Sequence, residues 1–221
     1  MDSSAAKELQ GAKWRMGDWF AKQLTDDQLH DLRLFHVELF NFSTKLNLIS
    51  LNTLMTSDEM HFADSVLASK IVLSDFKGRS ITDIGSGNGF PGMVLAILDR
   101  TLKVSFIESR GKRVEFLKHT ANRLRLSNVE ILHTRVEDIP EGALVGGISR
   151  AFATLPNALL NTRKTFAVNA PYYHMKTDGW ASEVANVPHQ LCSTWNIQHV
   201  ADYKLPVSQM ERTVLKATKV K

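Results

Sequence analysis

The chain has 221 residues, 43% hydrophobic and 23% charged, with a net charge of +4 and a single cysteine, Cys192. That length and balance suit one globular domain with a modest extension and an ordinary apolar core. They exclude an intramolecular disulfide and a cysteine metal cluster within one chain, and no run of eighteen apolar residues marks a membrane span.

The opening "MDSSAAKELQ" has no apolar h-region, so no signal peptide is read and a reducing, cytoplasmic setting is expected. Positions 1 to 78 read mostly helical. Leu29, Leu32, Phe35, Leu39 and Phe40 recur near helical spacing, with Thr25 or Asp26 as the cap. "SDEMHFADSVLASKIV" is a second helix with Ser57 as its N-cap, ended by "DFKG". After Gly78 the rhythm changes to strands separated by helical segments. "SITDIG", "KVSFIES", "VEIL", "ALVGGISRAF" and "PYYHMK" are strands, and "WNIQHVADYKL" and "ERTVLKATKV" close the chain as a hairpin. This order predicts an α/β fold: a mostly parallel seven-stranded sheet with an antiparallel edge. Residues 1–78 would form a helical extension packed on a core of residues 79–221.

The stretch "DIGSGNGFPG", positions 83 to 92, stands between the first strand and a helix. Glycines there let a ligand approach the backbone closely and tolerate positive φ. Without a terminal Gly-Lys-Ser/Thr the turn is no triphosphate loop. Asp83, at the strand end, would repel a pyrophosphate but suits the α-ammonium and sulfonium of S-adenosylmethionine. Glu108, ending the second strand, is placed to take two ribose hydroxyls. Glu137 and Asp138 follow the third strand, on the side usual for the adenine. A plain tight turn is the alternative for the glycines, and a solvated loop for Glu137 and Asp138.

Beyond the glycine turn, separate blocks carry a family resemblance: "KLNLIS" at 45 to 50, "HFADS" at 61 to 65, "ESRGKRVEFL" at 108 to 117, "TRVED" at 134 to 138, "SRAFATL" at 149 to 155 and a closing "MERTVLKATK". With "DIGSGNGFPG" they resemble the bacterial small-subunit ribosomal RNA guanine-N7 methyltransferases, long called glucose-inhibited division protein B. The resemblance covers roughly positions 31 to 217. It implies a Rossmann-like, S-adenosylmethionine-dependent enzyme that methylates N7 of one guanine in the decoding-region loop of 16S rRNA, on the RNA or a subunit precursor. It implies a cofactor site at Gly85, Ser86, Gly87, Glu108, Val136 and Glu137, with Arg150 over the cofactor and substrate pocket; Asp83, Gly89, Phe90 and Ser109 complete the expected cofactor set. It further implies a basic RNA surface at Lys112, Arg113, Arg135 and Arg212. Two departures stand out. Met60 replaces an arginine that often precedes the histidine, and Lys176 is followed by Thr177-Asp178 before Gly179.

Guanine N7 has a lone pair and no proton, so it can attack an activated methyl group without a nucleophilic cysteine or a strong base. Catalysis is then mostly alignment and management of a cationic product. Asp83, Arg150 and His61 are candidates for positioning, with His61 and Asp64 at i, i+3 able to orient each other; a packed structural histidine is the alternative. "NAPYY" at 169 to 173 imitates an amino-methyltransferase turn but comes some twenty residues after the fourth strand, and Cys192 has no catalytic context. Arg110, Lys112, Arg113, Lys118, Arg123 and Arg125 suggest a phosphate-contacting face, and Lys176 joins the RNA set. Phe90, Phe152 and Tyr172 could stack on a base or belong to the core. A monomer without metal is expected. A methyltransferase for another RNA base or a small molecule, and a non-catalytic RNA-binding module, remain alternatives.

Overall fold

A computed structural model describes residues 12–46, 49–76 and 80–221. Asn47 and Leu48 of the "KLNLIS" block, Lys77 and Gly78 of "DFKG", and the expected boundary at 78/79 lie outside them.

Helix α1 (Met16–Phe20) precedes α2 (Asp26–Leu46). Thr25 opens α2 by a reciprocal cap: the Gln28 amide donates to Thr25 Oγ1 and the Thr25 amide to Gln28 Oε1. Leu32, Phe35 and Leu39 are buried along one face of the helix. Helix α3 (Leu51–Met55) follows, capped by Ser50.

The next segment departs from the expected single helix. Residues Asp58–Ala63 wind as a wide π-turn, and only then does α4 (Asp64–Val72) begin. Ser57 does not cap it. Its hydroxyl donates to the Leu54 carbonyl and meets His36 Nε2 at 2.8 Å. Neighbouring side chains are committed to distant partners. Asp58, fully buried, takes both arms of the Arg15 guanidinium and the Arg15 amide. Glu59 Oε1 accepts from the Val207 and Ser208 amides and the Ser208 hydroxyl. Wide turns of this kind are frequent at functional sites.

Strands β1 (Ser80–Ile84), β2 (Lys103–Glu108), β3 (Val129–His133), β4 (Gly147–Arg150), β5 (Pro171–Lys176), β6 (Trp195–Lys204) and β7 (Glu211–Lys219) form one sheet in the order β3-β2-β1-β4-β5-β7-β6. β1 to β5 are parallel, and β7 runs antiparallel to β5 and β6. Pro171 is tolerated as the first residue of its strand. Helices α5 (Gly92–Leu98), α6 (Gly111–Arg123), α7 (Leu155–Thr162), α8 (Trp180–Ala185) and α9 (His189–Cys192) complete the chain.

Strand alternation divides the core between two faces. Ile81, Phe106 and Met175 join a cluster with Phe35, Phe62 and the apolar residues of α5 and α6. Ile84, Ile107 and Tyr172 join the opposite cluster, with Leu155, Leu159 and Trp195. Strand order reverses between β1 and its neighbours β2 and β4, so a crevice opens beyond their carboxyl ends. "NAPYY" leads into β5, where Tyr172 and Tyr173 are buried, and Cys192 is exposed.

Candidate active site

The glycine turn is held by β2. The amides of Gly85 and Ser86 donate to the Ile107 carbonyl at 2.9 and 3.1 Å, and Gly87 donates to Glu108 Oε2 at 2.9 Å. Gly85 and Gly87 have φ of +67° and +54°, so a side chain at either would strain the backbone. A Cβ on Gly85 would also enter the Phe152 ring.

Beside this turn lies a cavity of about 760 Å³, lined in part by Gly85, Glu108, Ser109, Val136, Glu137 and Phe152. Glu108 is nearly buried and accepts one backbone amide on each oxygen, Arg110 on Oε1 and Gly87 on Oε2, with Arg113 at 3.8 Å. Each carboxylate oxygen can accept more than one hydrogen bond. Acceptor capacity therefore remains for a ligand diol, and these acceptors fit a ribose.

Other expected cofactor residues stand behind the cavity wall. Asp83 is fully buried and shares a strand face with Ile81, beneath α5. Its Oδ2 accepts the Gly92 amide at 2.9 Å. Burial pushes its carboxyl up to about 7, against the opposing pull of the Gly92 amide and of Arg150. It braces the turn from below and does not line the cavity. Ser86 donates its hydroxyl to the Asp83 carbonyl. A Cβ on Gly89 would meet Met93, Leu117 and Phe35, so that glycine faces the core. Phe90 is buried, stacked on Phe35 at 4.8 Å and on His61 at 5.2 Å. Tyr172 is also core, which leaves Phe152 as the cavity aromatic among the three expected.

A second cavity, of about 320 Å³, adjoins the first and shares Ala151 and Ala153 with it. Arg150 lines this one. Its Nη1 donates to the Met60 carbonyl at 3.1 Å and to Asp64 Oδ2 at 3.2 Å, and its Nη2 to His61 Nδ1 at 2.7 Å. His61 and Asp64 thus both turn to Arg150 rather than to each other. Met60 contributes its carbonyl here, which any residue supplies, so the departure at that position leaves this contact intact. Asp64 Oδ1 accepts the Tyr203 hydroxyl at 2.7 Å, and Arg212 Nε stands 3.8 Å away. Burial and the Arg150 charge hold the His61 imidazole well below its usual range, hence neutral.

Between the cavities Ala151 has φ +54°, a left-handed conformation uncommon for alanine. It carries Arg150 into one cavity and Phe152 against Gly85 in the other. Such strain clusters at functional sites.

The expected RNA residues do not form one face. Lys112 and Arg135 are exposed, and Arg113 turns toward Glu108. Arg123 is tied at 3.1 Å to Glu38 of α2, which His119 also meets at 2.9 Å. Lys176 and Arg212 line the second cavity. Tyr203 and Glu183, also in or beside this cavity, carry no local motif that announces them. Among the described residues no cluster of three or more metal-ligating side chains occurs, and no helix is long and apolar enough to cross a membrane.

Known structures share this architecture. A predicted O-methyltransferase from Agrobacterium tumefaciens matches with a TM-score of 0.56 at 16% identity, over 72% of this chain and 81% of that one. At that identity the likeness establishes the fold, and it is the Rossmann-like fold of methyltransferases. Sequence sets the family. The family described as GidB, rRNA small subunit methyltransferase G, matches residues 28–213, and the chain belongs to it. "Ribosomal RNA small subunit methyltransferase G 3" of Bdellovibrio bacteriovorus is 38% identical over 94% of each chain. "Ribosomal RNA small subunit methyltransferase G" of Shigella flexneri is 30% identical over 89% of this chain and 93% of that one.

Proposed function

We propose that this protein uses S-adenosylmethionine to methylate N7 of a guanine in the decoding-region loop of small-subunit ribosomal RNA. The observation that carries the reading is the pair of adjoining cavities meeting at Ala151. One offers a glycine turn and a ribose-accepting carboxylate, the other a basic lining and a neutral histidine. When bound, S-adenosylmethionine supplies a methyl group on a sulfonium, a strong electrophile.

The chain's own residues then bind and align. Glu108 would accept the ribose hydroxyls, Gly85 gives the ligand close access to the backbone, Gly87 ties the turn to Glu108, and Ser109, Val136 and Glu137 border the same cavity. Asp83 acts from beneath, fixing the turn to α5. Arg150, clamped by three acceptors, is a rigid wall of the base cavity and holds His61 and Asp64 in place. No residue needs to remove a proton from N7, so positioning and electrostatics suffice. Lys112, Arg113, Arg123, Arg135, Lys176 and Arg212 supply positive charge for the RNA backbone, on the rim and in the base cavity.

The helical residues before β1 serve as an extension on the 79–221 core. Glu38 of α2, bonded to His119 and Arg123 of α6, supports this division. The protein acts as a monomer in the cytoplasm. Mass mapping of methylated nucleosides in small-subunit rRNA from cells with and without the protein tests the function. One 7-methylguanosine present only with the protein is expected, and unchanged maps overturn the reading.

A further inference from the structure

We propose that Glu183 reads the Watson–Crick edge of the target guanine, an inference that rests on the guanine reading above. Glu183 lies on α8, a six-residue helix with no buried residue, yet its side chain turns inward to line the second cavity. Its Oε2 accepts the Leu155 amide, at the start of α7, at 2.5 Å and Lys176 Nζ at 2.7 Å. Its Oε1 has no hydrogen-bond partner among the described residues, and the side chain is 32% exposed. One oxygen is thereby anchored and the other is presented to the cavity.

A carboxylate is an odd choice at a site that must admit RNA, because it repels phosphates. Capping α7 does not require it. Thr154, a residue type that caps helices well, occupies the N-cap position and makes no side-chain bond there. Pairing Lys176 does not require a free second oxygen.

The guanine edge opposite N7 supplies the reason. An arginine fork on O6 and N7, the commonest protein contact to guanine, is unusable here, since N7 must keep its lone pair for the methyl group. What distinguishes guanine on its other edge is a pair of donors, N1–H and N2–H. A fixed acceptor-only oxygen matches both, whereas adenine offers a bare N1 acceptor on that edge. The basic neighbours Arg150, Arg212 and Lys176 offer donors alone and cannot perform this reading.

The test uses small subunits reconstituted with rRNA that carries guanosine or inosine at the methylated position; inosine lacks the N2 amino group. Wild-type protein should methylate guanosine about tenfold or more faster, as kcat/KM, than inosine. In Glu183→Ala that ratio should fall toward one, while calorimetric binding of S-adenosylhomocysteine is retained. Glu183→Gln keeps one oxygen, which the Leu155 amide and Lys176 claim, so its NH2 faces the cavity and the ratio should fall as in Glu183→Ala. A ratio is internal to each preparation, so lost stability from the vacated α7 amide does not imitate the effect. Wild-type discrimination preserved in Glu183→Ala, or equal wild-type rates on both nucleosides, overturns the role of Glu183 alone. A wild-type protein that leaves guanosine unmodified overturns this inference together with the function it rests on.

Discussion

Arg150 Nη2 donates to His61 Nδ1 across 2.7 Å, and that bond fixes the imidazole's tautomer. A guanidinium is an obligate donor, so Nδ1 must be the acceptor and the ring proton sits on Nε2. Replacing Arg150 should therefore disturb the base cavity and spare the cofactor cavity. Arg150→Ala is expected to lower methyl transfer a hundredfold or more, on the order of the loss of a positioned catalytic donor, with calorimetric affinity for S-adenosylhomocysteine nearly unchanged. Arg150→Lys should recover little, since one ammonium cannot span three acceptors in a fork. Equal losses in cofactor affinity and turnover would return Arg150 to the cofactor site.

Gly85→Ala places a methyl group where the Phe152 ring lies and forces alanine to φ +67°. A loss of about 2 kcal/mol in urea unfolding is expected. In a Phe152→Ala background the same change should cost about 1 kcal/mol, leaving only the backbone strain. Additive costs would show that the ring and the glycine do not share that space.

Glu108→Ala removes the acceptor for the Gly87 and Arg110 amides as well as the acceptor for the ribose. Titration calorimetry should show at least about a tenfold weaker affinity for S-adenosylhomocysteine. A folded variant with wild-type affinity would remove Glu108 from the cofactor site.

Asp83 has a pH signature. Burial raises its folded pKa to about 7, above the unfolded value. Between roughly pH 4 and 7 the folded state thus binds more protons than the unfolded one. The stability this contributes is full below the unfolded pKa and is lost as pH rises through about 7. Asp83→Asn removes the titration while its amide oxygen can still accept from Gly92. The variant should therefore gain on wild type between pH 5 and pH 8, on the order of a few kcal/mol. Parallel Tm profiles for the two proteins would contradict the assignment.

Arg15→Ala strands Asp58, whose side chain is fully buried. Unfolding free energy should drop by about 3 kcal/mol, and the Arg15→Ala/Asp58→Ala pair should be less destabilised than the single change. A loss below about 1 kcal/mol would mean that water reaches the carboxylate.

That the glycine turn and Glu108 border one cavity was legible because strand, turn and acid follow one another within about 25 residues and meet through adjacent parallel strands. Asp83 was misread. A carboxylate at a strand end is visible in sequence, but the face it takes depends on register, and here it sides with Ile81 under α5. Phe90 and Gly89 turn to the core for a related reason. Their packing partner Phe35 arrives from α2, and no local pattern announces that contact. The Arg150, His61 and Asp64 grouping joins residues nearly 90 positions apart, so only the family resemblance brought them together. The π-turn at Asp58–Ala63 has no sequence period of its own. Its side chains are anchored at Arg15 and Ser208, which lie far away along the chain.

Ala151 separates the two side chains that face the two cavities, and neighbouring Cα atoms are about 3.8 Å apart across a trans peptide. On the proposed reading, one wall of the donor cavity and one wall of the acceptor cavity are therefore joined by covalent bonds rather than by the packing of one domain on another. Thermal breathing of the surrounding helices would move those two walls together, as a ruler moves with both of its marks.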